Sequence, residues 1–539
     1  MKSLRANAAA ILAASVLFAA AFPNPLAAEG IAPLAWIAWV PVFWVIRRAG
    51  PGPAALWGAL YGYLSYRLFV YWLDAFHPLA GLAAAFFQMI YLGALFFLLK
   101  AAVLLYPRRG YILQWLLWVS YEFLKTLGFL GFPYGIAGYT QWRFVPLIGI
   151  ASVFGVWGVS ALVLFPSVYL AQALPGKQPL GPAGTAGFFR RERTAALVWA
   201  AALAAALVYG LAGADYRAET AGTVRIALVQ QNADPWKEEP DRRALRTLTA
   251  LSRRALETEP ETDLVVWPET AFVPRIYWHL TYRDDAGAYP LVRELIDFLA
   301  GEEAPFLIGN DDARLEVSGG RWDRVDYNGA LLFERGELAG AYRKIRLVPF
   351  AEYFPYEKTF PRFYRALLEA GSRFWKPGTE PAVFTVPFRG ARGDSGGVFR
   401  FSAPICFEDS FGGLSRDFTR AGAELIVNIT NDAWAGSLAA QNQHLAMAVF
   451  RAVENRRSLV RAASSGQTCA VDPAGRITAL APAFTETFLN VSVPLIKRLT
   501  PYTLWGDLWG ILFTVSAGMV LLFGAIRAIL GTIKTGRGL

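Results

Sequence analysis

Cysteine, histidine and charge are what this chain is short of. Only Cys406 and Cys469 carry thiols, which excludes a disulfide-dense scaffold and an all-thiolate metal cage. Three histidines, His77, His279 and His444, are scattered along 539 residues, too few and too dispersed to build an imidazole metal site. Charged residues make up 17% of the sequence, against about 25% in an ordinary soluble domain, so a large part of the chain belongs in lipid. There is no Walker or dinucleotide-type glycine pattern and no internal repeat. What the chain has in excess is apolar: 55% hydrophobic and 14% aromatic, which rules out a solvated coil.

The formal charge of +10 would suggest nucleic acid if it formed a patch. It does not. Met1–Gly213 holds 14 Lys/Arg against 4 Asp/Glu, and the remaining residues hold 38 of each sign. Apolar runs fall at Leu4–Phe22, Ile31–Ile46, Ala54–Leu73, Leu79–Leu105, Tyr111–Leu130, Val145–Ala173, Thr194–Gly213 and Leu504–Leu530. Each is near the ~20 residues that cross a bilayer as helix, although the second is short and contains Pro33 and Pro41. Basic residues alternate between the connections. Lys2 and Arg5 precede the first run, Pro23–Gly30 has none, Arg47 and Arg48 follow the second, and Asp74–Pro78 has none. Arg108 and Arg109 follow the fourth, Arg143 stands alone after the fifth, and Lys177, Arg190, Arg191 and Arg193 follow the sixth. Arg527, Lys534 and Arg537 close the last run. Basic side chains stay on the cytoplasmic side, so the expectation is eight spans, both termini inside and Ala214–Thr503 outside. The basic tip and the small residues at Ala27–Ala28 also fit a cleaved signal peptide, which would leave the other spans in the same orientation. Inside the runs the ionisable residues are few, among them Arg67, and Glu122 with Lys125, three apart and able to pair on one helix face.

The exported half reads as α/β, with short β-branched runs alternating with helical stretches. Strands are expected at Thr223–Gln230, Asp263–Trp267, Pro305–Gly309, Tyr327–Glu334, Phe399–Cys406, Glu424–Asn428, Leu459–Ala463 and Gln467–Asp472. Helices are expected at Arg242–Glu257, Tyr289–Ala300, Phe411–Ala421 and Ala440–Arg456. Arg335-Gly336 and Pro473-Ala474-Gly475 have the composition of hairpin turns.

Three strand ends carry chemistry, and strand ends are where α/β sheets gather their sites. Glu269 follows the run ending at Trp267, Lys344 follows Tyr342-Arg343, and Cys406 follows Pro404-Ile405. A thiol whose proton a carboxylate takes becomes a strong nucleophile, and an ammonium beside the attacked carbonyl stabilises the oxyanion. The set describes acyl transfer through a thioester. Singly each is weak: a cysteine at a strand end is more often a small buried apolar residue, and a lone Glu or Lys is more often solvated or ion-paired. Cys469, inside a strand-like run without an acid beside it, reads as core.

The contexts of Glu269, Lys344 and Cys406 resemble the nitrilase, or carbon–nitrogen hydrolase, superfamily. Asn431-Asp432-Ala433-Trp434, Gln443-His444-Leu445-Ala446-Met447-Ala448 and Arg451-Ala452-Val453-Glu454-Asn455 narrow the resemblance to the apolipoprotein N-acyltransferase family. So do Phe132-Pro133-Tyr134 with Gly138-Tyr139 and Gln141, and Thr500-Pro501-Tyr502 with Trp505-Gly506-Asp507. The resemblance covers essentially the whole chain. It implies a polytopic α-helical membrane domain of seven spans (residues 1–213), an extracytoplasmic nitrilase-like αββα sandwich (222–497), and a C-terminal transmembrane helix (504–530). It also implies a bacterial inner-membrane protein, monomeric, with its catalytic domain on the periplasmic side. The implied reaction moves an acyl chain from a phospholipid, typically phosphatidylethanolamine, onto cysteine, then onto the α-amine of an S-diacylglyceryl-cysteine apolipoprotein. No cofactor or metal is implied. Carried over position by position, Cys406 is the nucleophile, Glu269 the general base and Lys344 the oxyanion stabiliser. Glu352, Glu408 and Phe407 are supporting residues, and Trp236 and Asn232 are substrate-binding residues. Two departures stand out: Phe407 replaces the family's frequent Tyr, and Val229-Gln230-Gln231-Asn232 lacks the commoner glycine.

Between Phe350 and Trp375 the aromatics Tyr353, Phe354, Tyr356, Phe360, Phe363, Tyr364 and Phe374 interleave with Lys358, Arg362, Arg365 and Arg373. Such segments favour a headgroup boundary, which suggests a lid that admits acyl chains; a loop packed on its own domain has the same composition. Two other readings of the whole chain stand beside the acyltransferase: a membrane-tethered amidase that uses water as acceptor, and a transporter or receptor in which Cys406, Glu269 and Lys344 are dispensable.

Overall fold

The computed structural model describes residues 2–175, 184–234, 241–318, 320–369, 372, 374–389 and 397–536. Lys177, Trp236, Arg373 and Arg537 lie outside the described residues. The chain separates into two compact units: Met1–Ala214 with Ser437–Ala446 and Trp505–Leu539, and Asp215–Gly436 with Met447–Leu504.

The first unit is helical. Its N-terminal helices are α1 (Lys2–Ala21), α2 (Val40–Arg48), α3 (Pro51–Phe69), α4 (Ala80–Leu105), α5 (Gly110–Leu124), α6 (Val145–Ile148), α7 (Ala151–Ala173), α8 (Gly184–Arg191) and α9 (Arg193–Gly213). Among the described residues five helices are long and apolar enough to cross a membrane: Ser3–Ala21, Ala80–Leu105, Ala151–Ala173, Arg193–Gly213 and Leu508–Gly531. At 1.5 Å per residue, the 26 residues of α4 run about 39 Å, enough to cross the ~30 Å hydrocarbon layer with tilt. The run at 31–46 is not one helix. Pro33 opens a 3₁₀ turn over Ala32–Trp36 and Pro41 opens the nine-residue α2, because a proline is at home in a first helical turn but breaks an interior one. The fifth run is also shorter than its apolar stretch, with α5 ending at Leu124.

Helices α3 and α4 meet across Gly58 and Gly62. A Cβ on either glycine would stand 2.4 Å from a backbone carbonyl of α4, that of Leu92 or of Gln88, so this GxxxG spacing is what lets the backbones touch. Among the described residues Glu122 and Lys125 form no direct ion pair. Lys125 donates to the Tyr66 hydroxyl at 2.7 Å and the Tyr134 carbonyl at 2.8 Å, while Glu122 accepts the Ala137 N–H at 3.0 Å. Both side chains therefore fasten the loop that follows α5. Arg67 is ion-paired with Asp74.

The second unit holds two six-stranded mixed sheets. The first has the order β12-β1-β2-β3-β4-β5 and the second β11-β10-β9-β8-β7-β6. Their ranges are β1 Thr220–Gln230, β2 Leu264–Val266, β3 Phe306–Ser318, β4 Arg321–Glu334, β5 Glu337–Arg343, β6 Val383–Pro387, β7 Val398–Ser402, β8 Leu425–Thr430, β9 Ser458–Ala463, β10 Cys469–Val471, β11 Ile477–Leu480 and β12 Thr487–Ile496. Strands β1, β2 and β3 are parallel to one another, as are β7, β8 and β9. The two-residue alternation of a strand sorts β1 into two cores. Val224, Ile226 and Leu228 pack with Phe399, Phe401, Leu425 and Val427 of the other sheet. Ala227 and Val229 pack with Leu245, Leu248 and Leu251 of α10 (Asp241–Thr258) and Leu291 and Leu295 of α12 (Ala288–Gly301). The short α11 (Ile276–Tyr282) lies between α10 and α12 in sequence; α13 (Pro361–Glu369), α14 (Gly412–Arg420) and α15 (Leu438–Asn455) follow.

The expected strands and helices of this unit are all present, with shifted ends. Strands β3 and β4 pair far beyond the expected Pro305–Gly309 and Tyr327–Glu334, in register from Phe306↔Phe333 to Ser318↔Arg321. The outer half of β3 does alternate, Ala313, Leu315 and Val317 with charged residues, but Val317 and Trp322 are exposed, so a reading that looked for buried apolar runs stops early. Helix α15 is divided between the units, its residues up to Ala446 in the first and those from Met447 in the second. In the first unit Gln443 is saturated: its amide donates to Pro23 O at 2.8 Å and Phe69 O at 3.1 Å and accepts from the Trp72 indole at 2.9 Å. After α16 (Pro501–Trp505), α17 (Leu508–Gly536) ends the described chain.

Candidate active site

Glu269 comes just past β2, on a segment forced into shape by its neighbours. Thr270 has φ of 47°, a left-handed conformation that costs a β-branched residue free energy. Gly309 on β3 runs under it, and a Cβ there would stand 2.2 Å from Pro268 O and 2.7 Å from Glu269 Cα, so only glycine fits. Asn310 caps the next turn, accepting the Ile276 N–H at 3.1 Å and donating to Phe272 O and Pro274 O at 2.6 and 3.0 Å.

The Glu269 carboxylate, 5% exposed, has three donors. Oε1 accepts from Asn328 Nδ2 at 2.8 Å and from Lys344 Nζ at 3.2 Å, and Oε2 accepts the Asn431 N–H at 2.9 Å. Lys344 is fully buried at the end of β5, its N–H on the Asn328 carbonyl at 2.9 Å and its Nζ 2.6 Å from Glu352 Oε1. Glu352 Oε2 accepts the Val348 N–H at 2.9 Å. Burial works against the Lys344 ammonium, but Glu269, Glu352 and the Cys406 sulfur outweigh it and hold its pKa well above the usual lysine value. Burial raises the Glu352 carboxyl, with Lys344 opposing and Glu269 adding.

Cys406 does not end a strand as the sequence suggests. Strand β7 stops at Ser402, Pro404 has no N–H to continue the ladder, and Ile405 makes only a single bridge to Ile429. Cys406 opens a 3₁₀ turn, Cys406–Ser410, at φ of 50°, an unfavourable conformation of the kind that collects at reactive positions. Glu408 holds that turn. Its Oε1 accepts the N–H groups of Ile345 and Arg346 at 2.7 and 2.9 Å, its Oε2 accepts the Ile405 N–H at 2.8 Å, and the Tyr342 hydroxyl bonds both oxygens at 2.8 and 2.9 Å. The carboxylate thereby ties the cysteine turn to the chain just after Lys344. Burial pushes Glu408 up to about 7, against the pull of those N–H groups. Burial also pushes the Cys406 thiol well up. Glu269, Asp432 and Glu352 add to the rise and Lys344 opposes it. A thiol gives up its proton as it attacks, because the thiolate is the nucleophile.

Of the residues singled out in the sequence, Glu269, Lys344 and Glu352 are in direct contact, and Cys406 feels the charge of all three. Phe407 is half-buried and packs edge-on against Phe411 at 5.0 Å. Asn232 accepts from Ser465 Oγ at 2.6 Å and donates its N–H to Ser464 O at 2.6 Å; it shares no hydrogen bond with the carboxylate–lysine network among the described residues. Trp236 falls outside the described residues. Cys469 is fully buried in β10. Sequence reasoning missed Asn328 and Tyr342 as partners of the two acids. The available signal was a polar side chain, Asn328, at the head of an apolar strand. Among the described residues no group of three or more His, Cys, Asp or Glu side chains is arranged to hold a metal ion.

Paired mixed sheets with a carboxylate and a buried ammonium just past their strand ends, and a thiol in the turn beyond β7, define the class: a carbon–nitrogen hydrolase domain carried on apolar helices. The carbon-nitrogen hydrolase family model matches residues 225–498, and the apolipoprotein N-acyltransferase N-terminal domain model matches residues 14–169. Apolipoprotein N-acyltransferase 1 of Treponema pallidum is 46% identical over 96% of this chain and 95% of its own length. The Treponema denticola protein of the same name is 42% identical over 93% of each chain, and apolipoprotein N-acyltransferase of Geobacter metallireducens is 34% identical over 94% of this chain and 92% of its own. Among solved structures, an amidase from Nesterenkonia sp. aligns at 21% identity and a TM-score of 0.34 with 51% of this chain and 92% of its own. The chain belongs to the apolipoprotein N-acyltransferase family.

Proposed function

We propose that the chain transfers an acyl group from a membrane phospholipid to the α-amine of the S-diacylglyceryl-cysteine that begins an apolipoprotein. The observation that carries the chemistry is the shared hydrogen-bond network of Glu269, Lys344 and Glu352 in the electrostatic range of the Cys406 sulfur. In this reading Glu269 takes the thiol proton as sulfur attacks the ester carbonyl carbon of phosphatidylethanolamine. Lys344 stabilises the oxyanion, and Glu352, bonded to its Nζ, orients it. The tetrahedral intermediate collapses, the C–O bond breaks, and the lysophospholipid oxygen leaves with the proton from Glu269. Cys406 is left as a thioester. The lipoprotein amine then attacks that carbonyl, Glu269 accepts the amine proton, and the C–S bond breaks to return the proton to sulfur. Glu408 and Phe407 hold the turn that presents the sulfur; Trp236 and Asn232 contribute to substrate binding.

The architecture belongs to the same reading. Seven spans occupy residues 1–213 and an eighth 504–530 in a bacterial inner membrane. Residues 222–497 form an αββα sandwich on the periplasmic side, in a monomer that meets both lipid substrates at the outer leaflet. Support comes from the alternation of basic and neutral connections and from five long apolar helices.

The experiment is to incubate the purified chain with phosphatidylethanolamine and search by mass spectrometry for an acyl adduct on Cys406. Cys406→Ala should carry none, and a diacylated lipopeptide should discharge the wild-type adduct to a triacylated product. Discharge to water alone would replace the acyltransferase by an amidase.

A further inference from the structure

Arg461 sits on β9 with its side chain wholly buried, outside every role assigned above. Its Nη1 donates to Asp409 and, at 3.0 Å, to Asn428 Oδ1, and its Nη2 donates to Asp432 Oδ2 at 2.7 Å. These partners belong to three pieces of the site. Asp409 is in the Cys406–Ser410 turn. Asp432 follows Asn431, whose N–H holds Glu269. Asn428, on β8 between them, donates Nδ2 to Pro404 O at 3.1 Å, just before the cysteine. A planar guanidinium can hold such a fork of acceptors where a lysine cannot. A buried ion cluster of this kind is often no more stabilising than well-packed apolar groups, and all three partners of this one border the site.

We propose that Arg461 is a positioning residue for acyl transfer: its guanidinium locks the turn that presents the Cys406 sulfur to the loop that holds Glu269, fixing the distance over which the proton moves. The inference rests on the roles given to Cys406 and Glu269 above. Electrostatics reinforces the geometry. Cys406 faces Glu269, Asp432 and Glu352 as acids and Lys344 as the cation, with Glu408 on its own turn. Arg461 neutralises Asp432, and is itself faced by Asp409, Asp432 and, across the β9–β10 register, Cys469.

The test uses the full chain in detergent micelles with phosphatidylethanolamine. It reads the single-turnover rate of Cys406 acylation and, separately, the pH midpoint of thiol alkylation by iodoacetamide. Arg461→Gln should slow acylation at saturating lipid by about 100-fold, the scale of an ångström-sized misplacement, leaving the half-saturating lipid concentration unchanged. It should also raise the alkylation midpoint, because Asp432 is left uncompensated. Asp432→Ala keeps Arg461 on Asp409 and Asn428, and carries the test if Arg461→Gln does not fold. It should lower the alkylation midpoint, because an anion near sulfur is gone, and yet slow acylation, because the tether is cut. A more acidic thiol with a slower reaction is a combination that neither a merely electrostatic nor a merely structural role produces. A folded Asp432→Ala or Arg461→Gln that acylates at the wild-type rate overturns the proposal. An acyl adduct that persists in Cys406→Ala overturns instead the reading on which it rests.

Discussion

Replacing Lys344 by Met keeps most of the length of the side chain and removes its charge, and the structure sets the size of two separate consequences. Lys344 Nζ is buried between Glu269 and Glu352 at 3.2 and 2.6 Å. Removing one member of a buried ion pair costs about 3–5 kcal/mol, since the remaining charge is stranded. For a unit of this size that lowers the melting temperature by about 10 °C. The rate consequence is independent of this: loss of one oxyanion donor costs about 10²–10³-fold. The two separate in the double variant Lys344→Met/Glu352→Gln. One of the two stranded carboxylates is then gone, so part of the melting temperature returns, while acylation of Cys406 stays slow. The assay is thermal unfolding in detergent beside single-turnover acylation followed by mass spectrometry. The reasoning is refuted if Lys344→Met acylates within tenfold of wild type, or if restoring stability in the double variant also restores the rate.

Two further predictions follow from other parts of the site. Glu408 sits at about 7, raised by burial from 4.5, so between these values the folded chain holds a proton that the unfolded chain has released. Its contribution to stability is therefore full below 4.5 and is lost as pH rises through 7. Glu408→Gln, which turns an amide N–H₂ towards backbone donors at a cost of about 1–3 kcal/mol, should accordingly melt below wild type by a margin that narrows from pH 5 to pH 7.5 (both about the ends of that window); a widening margin contradicts it. On the aromatic segment, α13 has no buried residue, and Phe360 and Phe363 are 55% and 56% exposed. Phe360→Asp/Phe363→Asp should thus leave the melting temperature nearly unchanged and slow acylation from phospholipid vesicles. Unchanged acylation kinetics would remove the lid from the account.

How much of this was legible in advance varies with the kind of interaction. Glu269 and Cys406 were singled out because each follows a strand-like run, and Lys344 because it ends a hairpin, all local features of the chain. The hairpin turn at Arg335-Gly336 was legible for the same reason, and both residues do take positive φ, 49° and 80°. Asn431 was not legible as a partner of Glu269: its N–H comes from 162 residues away, and no local pattern encodes which backbone donor will arrive there. Arg461 was invisible, because a buried arginine in a strand has the same sequence signature as an exposed one.

By itself the sequence determined that the chain carries membrane-length apolar helices and where most strands run. These follow from composition and period, which depend only on neighbours along the chain. The tertiary structure alone decided that Cys406 lies in a strained turn and not in a strand, that the run at 31–46 breaks at its prolines, and that Glu122 and Lys125 hold a loop and not each other. It also decided that Glu408 bonds the Ile405 N–H just before the Cys406 turn and that Arg461 bonds Asp409 within it. Hydrogen bonds and ion pairs act over a few ångströms, and only folding brings distant parts of the chain within that reach.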